Sequence, residues 1–570
     1  MSTETIDQPS SDGHGAPPPG PGGPPGTDDS PDFKVIGIGV VAVLAMVAWA
    51  AIGKDSFSSA SATALTWVLN NFAWLFVVAA DAFLVLCVVL MLSRFGRIRL
   101  GRDDDEPEFT NLAWIAMMFS AGMGIGLMFY GVGEPLTHYF KPPPGTGAQP
   151  QTGGSALVAM EYSFFHWTFT PWAIYGVVGL ALAYAGYRKG RGNRLSSVFV
   201  PLIGERRAAG WPGRIIDLLA VFATVFGTAT SLGIGALQVA TGLGLTTGLD
   251  NTKTVQLLII LILGSAFVCS AFSGLHRGVK WLSTINIVLA ACLAAFVFVL
   301  GPTVYILDSV PESVGGFLNE ILPMASRAGA FTSGDWLGTW TIFYWAWWLS
   351  WAPFVGTFIA RISHGRRIRE FLIGVLLVPS GATVVWFCVM GGSGIRLDAT
   401  GRIDMASKIA QGPESALFSM LDGLPVGTVT SWVAMILVMT YFVTSADSAS
   451  LVMGSLTSRG ALHPKTWLVV MWGVLMAAVA AVLLVAGGLD SLQSATILVA
   501  LPFVVVMLAL CWALLKELRK DPGAGPSRAH ALHGLRDAVK AMVGDAITEQ
   551  SPTLHPRLRR AAKSRGQDES

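Results

Sequence analysis

Charge is scarce in this chain. Only 13% of its 570 residues are Asp, Glu, Lys or Arg, against roughly 25% in a typical soluble protein. Paired cysteines are also lacking. Cys87, Cys269, Cys292, Cys388 and Cys511 all sit inside apolar stretches without a shared spacing. They read as buried thiols, which excludes a disulfide framework and a cysteine metal site. The N-terminus has no n-region followed by an apolar h-region, so no cleavable signal peptide is expected. Metal-ligand clusters, nucleotide loops and a nucleophile–His–acid arrangement are likewise missing from the linear pattern. The chain is therefore not expected to be an enzyme. No catalytic residue, cofactor or nucleic-acid partner is assigned.

What is abundant is apolar length. Hydrophobic residues make up 52% of the chain, and mean hydropathy is +0.57. Stretches such as Val35–Ile52, Thr254–Phe272 and Trp467–Val485 reach the ~18 apolar residues that cross a bilayer core. The fold class is an all-α membrane protein of twelve transmembrane helices, centred near residues 44, 82, 122, 175, 228, 263, 293, 348, 380, 440, 476 and 504. Lys and Arg choose its orientation. The loops after even-numbered segments carry 19 of them, those after odd-numbered segments seven. Both tails are then expected to be cytoplasmic.

Residues 1–32, with the run PPPGPGGPPG and only acidic charges, form an expected disordered N-tail. Residues 33–516 form the transmembrane domain, with Pro311–Met324 as a short amphipathic helix at the outer surface. Residues 517–570 form a C-tail with a helical stretch near Ala529–Ile547, ending in Arg557, Arg559, Arg560, Lys563 and Arg565. Such a tail is either simply solvated or drawn to anionic lipids.

Three patterns carry chemistry. The first is Gly122-Met123-Gly124-Ile125-Gly126 in segment three. Each glycine costs a helix ~1 kcal/mol relative to Ala. The spacing of Gly122 and Gly126 suits close helix packing. The added Gly124 suits an unwound stretch of the kind that forms midplane sites in transporters.

Segment eight supplies the second pattern, with Tyr344, Trp345, Trp347, Trp348, Trp351 and Pro353 in ten residues. Segment four adds Trp167, Trp172 and Tyr175. Trp347 and Trp351 share a helix face, and Trp348 and Trp351 share a flank. Such a cluster is either bulky packing or a box of ring faces for a quaternary ammonium, which has no hydrogen to donate. No acidic residue is expected near these tryptophans, so the ligand is a cation or an internally balanced zwitterion.

The third pattern is hydroxyls: Thr224, Thr228, Thr230 and Ser231 in segment five, and Thr444, Ser445, Ser448 and Ser450 in segment ten. Singly, each would bond back to its own helix. Together with free carbonyls they form an oxygen shell suited to sodium. Segment five has no Lys or Arg to replace that ion, and Asp447 reads as site support. His138 and Glu134-Pro135 end segment three, and a His at a helix end is more often solvated or capping than a proton relay.

The stretches FSAGMGIGLMFYGVGEPLTHY, FHWTFTPWAIY, ATVFGTATSLGIGALQ, FYWAWWLSWAPFVGTFIARISHGRRIREF and YFVTSADSAS resemble the betaine/choline/carnitine transporter family from about Asp32 to Lys516. The likeness is strongest to its sodium/glycine-betaine symporters. It implies two leading helices, a five-plus-five inverted repeat and a homotrimer. It also implies an aromatic box of Trp167, Trp172, Tyr175 and Trp348, with Trp347 and Trp351 along the path and Gly122, Gly124 and Gly126 in the unwound stretch. One sodium site would use Ser120, Met123 and Tyr441 carbonyls with the Thr444 and Ser445 side chains. A second would use Thr224 and Thr228 beside Phe354. Ser120 and Tyr441 depart from the family's usual side chains. A glycine at 126 resembles the sodium/betaine branch, where an Asp would resemble proton-coupled choline carriers. The family's sodium-independent carnitine exchangers carry cationic or thioether substitutes at the sodium positions, which this sequence does not. The acidic N-tail and basic C-tail are similar to osmoregulated members. Sodium is the only added ion implied.

Overall fold

The computed structural model describes residues 30–122, 124–272, 276–331, 334–410, 412–524 and 539–540. Among these the regular structure is helical, with one isolated β-bridge between Arg99 and Arg367. The chain opens with α1 (Phe33–Ile52) and α2 (Lys54–Leu92), followed by α3 (Asn111–Gly122), α4 (Ile125–Phe140), α5 (Gly153–Trp167) and α6 (Phe169–Ala183). Next come α7 (Trp211–Thr247), α8 (Lys253–Phe272), α9 (His276–Leu300) and α10 (Thr303–Ala325). The last four are α11 (Phe343–Arg361), α12 (Ile368–Ala399), α13 (Gly427–Thr457) and α14 (Thr466–Leu518).

Among the described residues, nine helices are long and apolar enough to span a membrane. Twelve segments were expected, and three causes account for the difference. Segment three is split into α3 and α4, each too short to qualify. Segment eight is α11, whose tryptophans carry polar N–H groups and lower its hydropathy. Segments eleven and twelve run together as α14, bent at Gly487 (φ −159°, ψ 21°) and Gly488 (φ 65°, ψ −140°). The latter conformation is open to glycine and strained for other residues. Segment four is also split, between α5 and α6.

Burial sorts the helices into centre and rim. The most apolar window of α5–α6 is 94% buried and that of α7 72%, whereas those of α1 and α8 are 28% buried. The rim helices turn Val41, Trp49, Leu261 and Ile262 outward, as a lipid-facing surface requires. At the centre, α7 packs on α11, α13 and α14, and α11 packs on α6 and α14. α2, at 39 residues, spans about 58 Å at 1.5 Å per residue. That is nearly twice the hydrocarbon thickness, so part of it stands outside.

The amphipathic helix is longer than the sequence pattern indicates. α10 begins at Thr303, before Pro311, and lies on α5 and α12. It buries Phe317 and Met324 and exposes Leu318 and Leu322.

The N-tail is tied to the first turn of α7 and the C-tail to the connection between α6 and α7. Asp32, the last residue of the expected N-tail, caps α1 and is 2.9 Å from Arg214. Beyond α14, Asp521 accepts from Tyr184 at 2.6 Å and from Arg188 at 2.8 and 3.1 Å. Burial pushes the Asp521 carboxyl up, but hydrogen bonds from Arg188 and Tyr184 outweigh it and hold the group below its usual value. The helical stretch expected near 529–547 falls almost wholly outside the described residues, as do residues 1–29 of the N-tail.

Candidate functional site

Two interruptions create the site. α3 ends at Gly122, and α4 starts at Ile125 with Gly124 extended ahead of it (φ −166°, ψ −172°). Of the two readings left open for the glycine run, unwinding is the one realised here. Carbonyls in the first turn of α4 find partners on other helices: Trp386 donates to Leu127 at 3.0 Å and Gln238 to Met128 at 2.9 Å. The second interruption is Thr168 (φ −105°, ψ −111°) between α5 and α6. No glycine marks it. The available signal is Pro171, which belongs in the first turn of a new helix. The two interruptions bring Gly124, Gly126, Trp167 and Trp172 to one cavity.

That cavity, about 190 Å³, is also lined by Tyr175, Trp347, Trp348, Trp351, Phe354, Tyr441, Thr444 and Ser445. One water takes ~30 Å³ of liquid, so a small organic solute fits. Trp167 meets Trp348 edge to face at 4.8 Å, Tyr175 meets Trp348 at 6.3 Å, and Trp172 meets Tyr175 at 5.5 Å. Trp347 and Trp348 are stacked, 4.9 Å apart and 12° from parallel. A methylated nitrogen does not fit between rings 4.8 Å apart. The space open to such a group is against the faces they turn to the cavity.

Three of the indole N–H groups point away from that space. Trp348 donates to the His166 carbonyl at 3.0 Å, Trp351 to Gly227 at 3.0 Å, and Trp347 to Ser231 at 3.2 Å. With these N–H edges engaged in the walls, the three indoles turn ring carbon to the cavity, opposite the polar side chains of α9 and α13. Close packing fixes the positions. A methyl added at Gly126 would come within 2.8 Å of the Trp167 ring and 3.0 Å of the Trp347 ring, whereas one at Gly124 would meet nothing within 4 Å.

The expected sodium residues fall into two places. Tyr441, Thr444 and Ser445 of α13 line the cavity beside Gly124. The Thr444 hydroxyl donates within its own helix, to Thr440 or Tyr441, and accepts from Asn286 at 3.3 Å. One lone pair is left for another partner. Met123 and the side chain of Ser120 lie outside the described residues. Thr224 and Thr228 of α7 are buried but do not line this cavity; of the second set only Phe354 does. Thr224 bonds back to Ala220 at 2.9 Å. Thr230 is spent on Thr496 at 2.6 Å, tying α7 to α14.

Two expectations fail here. His138 is not solvated: its side chain is 0% exposed, as is that of Glu134 beside it. Nor are the tryptophans free of acid. Glu134 accepts from the Trp167 N–H at 2.7 Å and from the Tyr344 hydroxyl at 2.5 Å through one oxygen. Its other oxygen is 2.6 Å from His166 Nδ1. The carboxylate lies behind the indole and outside the cavity lining, which contains no Asp, Glu, Lys or Arg. Sequence order hid this because α4, α5 and α11 meet only through the tertiary fold. Asn286 and Ser283 of α9 also line the cavity and were missed. An amide inside the apolar run INIVLAACL was the available signal.

The BCCT family model, described as betaine/carnitine/choline family transporter, matches residues 34–523. The glycine betaine transporter OpuD of Bacillus subtilis is 44% identical over 494 residues, covering 86% of this chain and 94% of that protein. The betaine/ectoine transporter LcoP of Corynebacterium glutamicum is 41% identical over 502 residues, covering 86% of this chain and 79% of its own. A glycine betaine transporter of Acinetobacter baylyi is 40% identical over 493 residues, covering 86% and 74%. Those proteins are transporters, not enzymes. The chain belongs to the betaine/carnitine/choline transporter family and is a multi-pass membrane protein.

Proposed function

We propose that this protein imports glycine betaine or a related quaternary-ammonium compatible solute by sodium symport, in osmoprotection. The observation that carries the reading is the wall of ring faces with its N–H edges turned away. A trimethylammonium needs π-faces and offers no hydrogen to an acceptor, and each ring contributes ~0.5–2 kcal/mol to holding it. Relatives named as glycine betaine transporters point to the same solute. Its carboxylate would meet backbone N–H groups of the unwound stretch near Gly126.

Sodium would sit between that stretch and Thr444 and Ser445, where free backbone carbonyls and hydroxyls offer the hard oxygen ligands the ion takes. The second ion would lie at Thr224 and Thr228 beside Phe354. Sodium then orders the broken α3–α4 pair so that the box closes on the methyl groups. Rocking of one bundle against the other moves the site between the two sides of the membrane.

The remaining parts of this reading are a twelve-helix architecture of two leading helices and a five-plus-five repeat, and a homotrimer. Both tails are cytoplasmic, in the bacterial inner membrane, with the basic C-tail near anionic lipid.

Uptake of labelled betaine into proteoliposomes, with external sodium replaced by potassium, is the deciding experiment. Sodium symport predicts accumulation only with an inward sodium gradient. Accumulation driven by a proton gradient would make the protein a proton-coupled carrier. Sodium-indifferent counterflow would make it an exchanger.

A further inference from the structure

We infer that Glu134 is a positioning residue of the onium site, holding Trp167 and Tyr344 in the planes that shape the aromatic wall. This rests on the proposed binding of a methylated onium to that wall.

The argument begins with the donors around the carboxylate. Trp Nε1 can only donate, and it points at Oε2 from 2.7 Å. The Tyr344 hydroxyl donates to the same oxygen. His166 Nδ1 lies 2.6 Å from Oε1, and its Nε2 is 3.0 Å from the Thr341 hydroxyl. Three donors on two oxygens suit an ionised carboxylate, and charge-assisted bonds of this kind are the strong ones. The five groups come from α4, the last turn of α5, the turn before α11 and α11 itself. One side chain therefore ties together the elements that carry the wall.

Each bond constrains a ring. Trp167 sits at the end of α5, next to the break at Thr168, where the backbone alone does not fix its plane. Its far edge is in the cavity, and its N–H edge is on Glu134. Tyr344 lies 5.7 Å from Trp348 at 13°, and 6.4 Å from Trp347 at 18°. It is the outer layer of a stack that ends at the cavity. The Trp348 N–H is held by the carbonyl of His166, the residue whose ring touches Glu134. An indole N–H donating to an anion also pushes electron density onto the ring, which strengthens its attraction for a cation.

A metal centre is the competing use of Glu134, His138 and His166, whose ligand atoms lie within 4.8 Å of one another. The geometry favours the hydrogen bond. At 2.6 Å, Glu134 and His166 are closer than the ~3.3 Å between two ligands on a tetrahedral ion with bonds of 2.0–2.1 Å. His138 is 3.6 Å from the same oxygen, too far to bond it.

The test uses the full chain in proteoliposomes at saturating sodium. Glu134→Leu, similar in size and without an acceptor, is expected to raise the half-saturation constant for glycine betaine at least tenfold, with the maximal rate within about threefold. Glu134→Gln is expected to fall between Leu and the native protein. In a Trp167→Phe background, which has no N–H to hold, Glu134→Leu is expected to add less than threefold. Equal effects in both backgrounds, or an unchanged half-saturation constant, would overturn the assignment. Should Glu134→Leu fail to fold, Tyr344→Phe decides: it keeps the ring and removes the donor, and a half-saturation constant raised severalfold is expected. No change there would overturn the assignment as well. A native protein that binds no methylated onium refutes the proposed function instead, so the two failures are distinct.

Discussion

Alanine at Gly126 and alanine at Gly124 should behave differently, although only one residue separates them. At Gly126 the new methyl would lie 2.8 Å from Cη2 of Trp167 and 3.0 Å from Cη2 of Trp347. Neither ring can swing aside freely. Trp167 is bonded to Glu134 and Trp347 to Ser231, and a bond to a charged group is worth ~1.5–3 kcal/mol. Overpacking of this kind costs ~1–3 kcal/mol, and alanine's better helix propensity returns at most ~1 kcal/mol of that. We therefore expect Gly126→Ala to destabilise the solute-free protein by about 1–2 kcal/mol and to weaken betaine binding at least tenfold. At Gly124 the methyl meets nothing, and the extended backbone is open to any residue. Stability there should stay within ~0.5 kcal/mol, with any loss confined to solute affinity because the residue lines the cavity. Thermal unfolding in detergent without solute, paired with calorimetric titration of betaine, separates the two. Equal destabilisation by both variants, or none by Gly126→Ala, would refute the packing argument.

Removing the indole of Trp348 should raise the half-saturation constant for betaine at least tenfold in uptake assays; unchanged uptake would count against the cage. Thr444→Val and Ser445→Ala should each shift the sodium dependence of uptake severalfold while leaving the protein folded, read as the sodium concentration giving half-maximal rate. Asp521→Asn should loosen the end of α14 from Arg188 and cost roughly 1–3 kcal/mol, because it takes the charge out of hydrogen bonds to a carboxylate with no exposed surface. Since folding lowers the Asp521 pKa, its contribution is fully present above the ordinary aspartate value. It is lost as pH falls through the lower folded value. Acid titration of thermal stability should therefore show a component that disappears in Asp521→Asn.

The membrane class and the placement of most helices were legible because scarce charge and long apolar runs leave few alternatives. The break in α3–α4 was only half legible, since three glycines in five residues suit it but the spacing of Gly122 and Gly126 suits close helix packing as well. The break at Thr168 was not, because its only local sign is a proline three positions later. The tryptophans of segments four and eight stood out in the sequence, and the structure places Trp167, Trp172, Tyr175, Trp347, Trp348 and Trp351 on one cavity. Glu134 was misread for a physical reason. Thirty-two residues separate it from His166 and 210 from Tyr344, and helical periodicity says nothing about which faces of distant helices meet. Thr224 and Thr228 show the reverse case: a hydroxyl spacing visible in sequence, on a face that does not front the cavity.

The outward turn of every hydrogen-bonded indole edge has a consequence for what the pocket tolerates. Where the wall is carbon, a methyl on the guest's nitrogen is welcome and a proton is not. Against that wall, replacing one methyl of betaine by hydrogen would turn a donor onto ring carbon, at ~1–3 kcal/mol. Selectivity would then follow the degree of methylation, with the tertiary amine admitted roughly 5- to 150-fold less readily than its fully methylated parent.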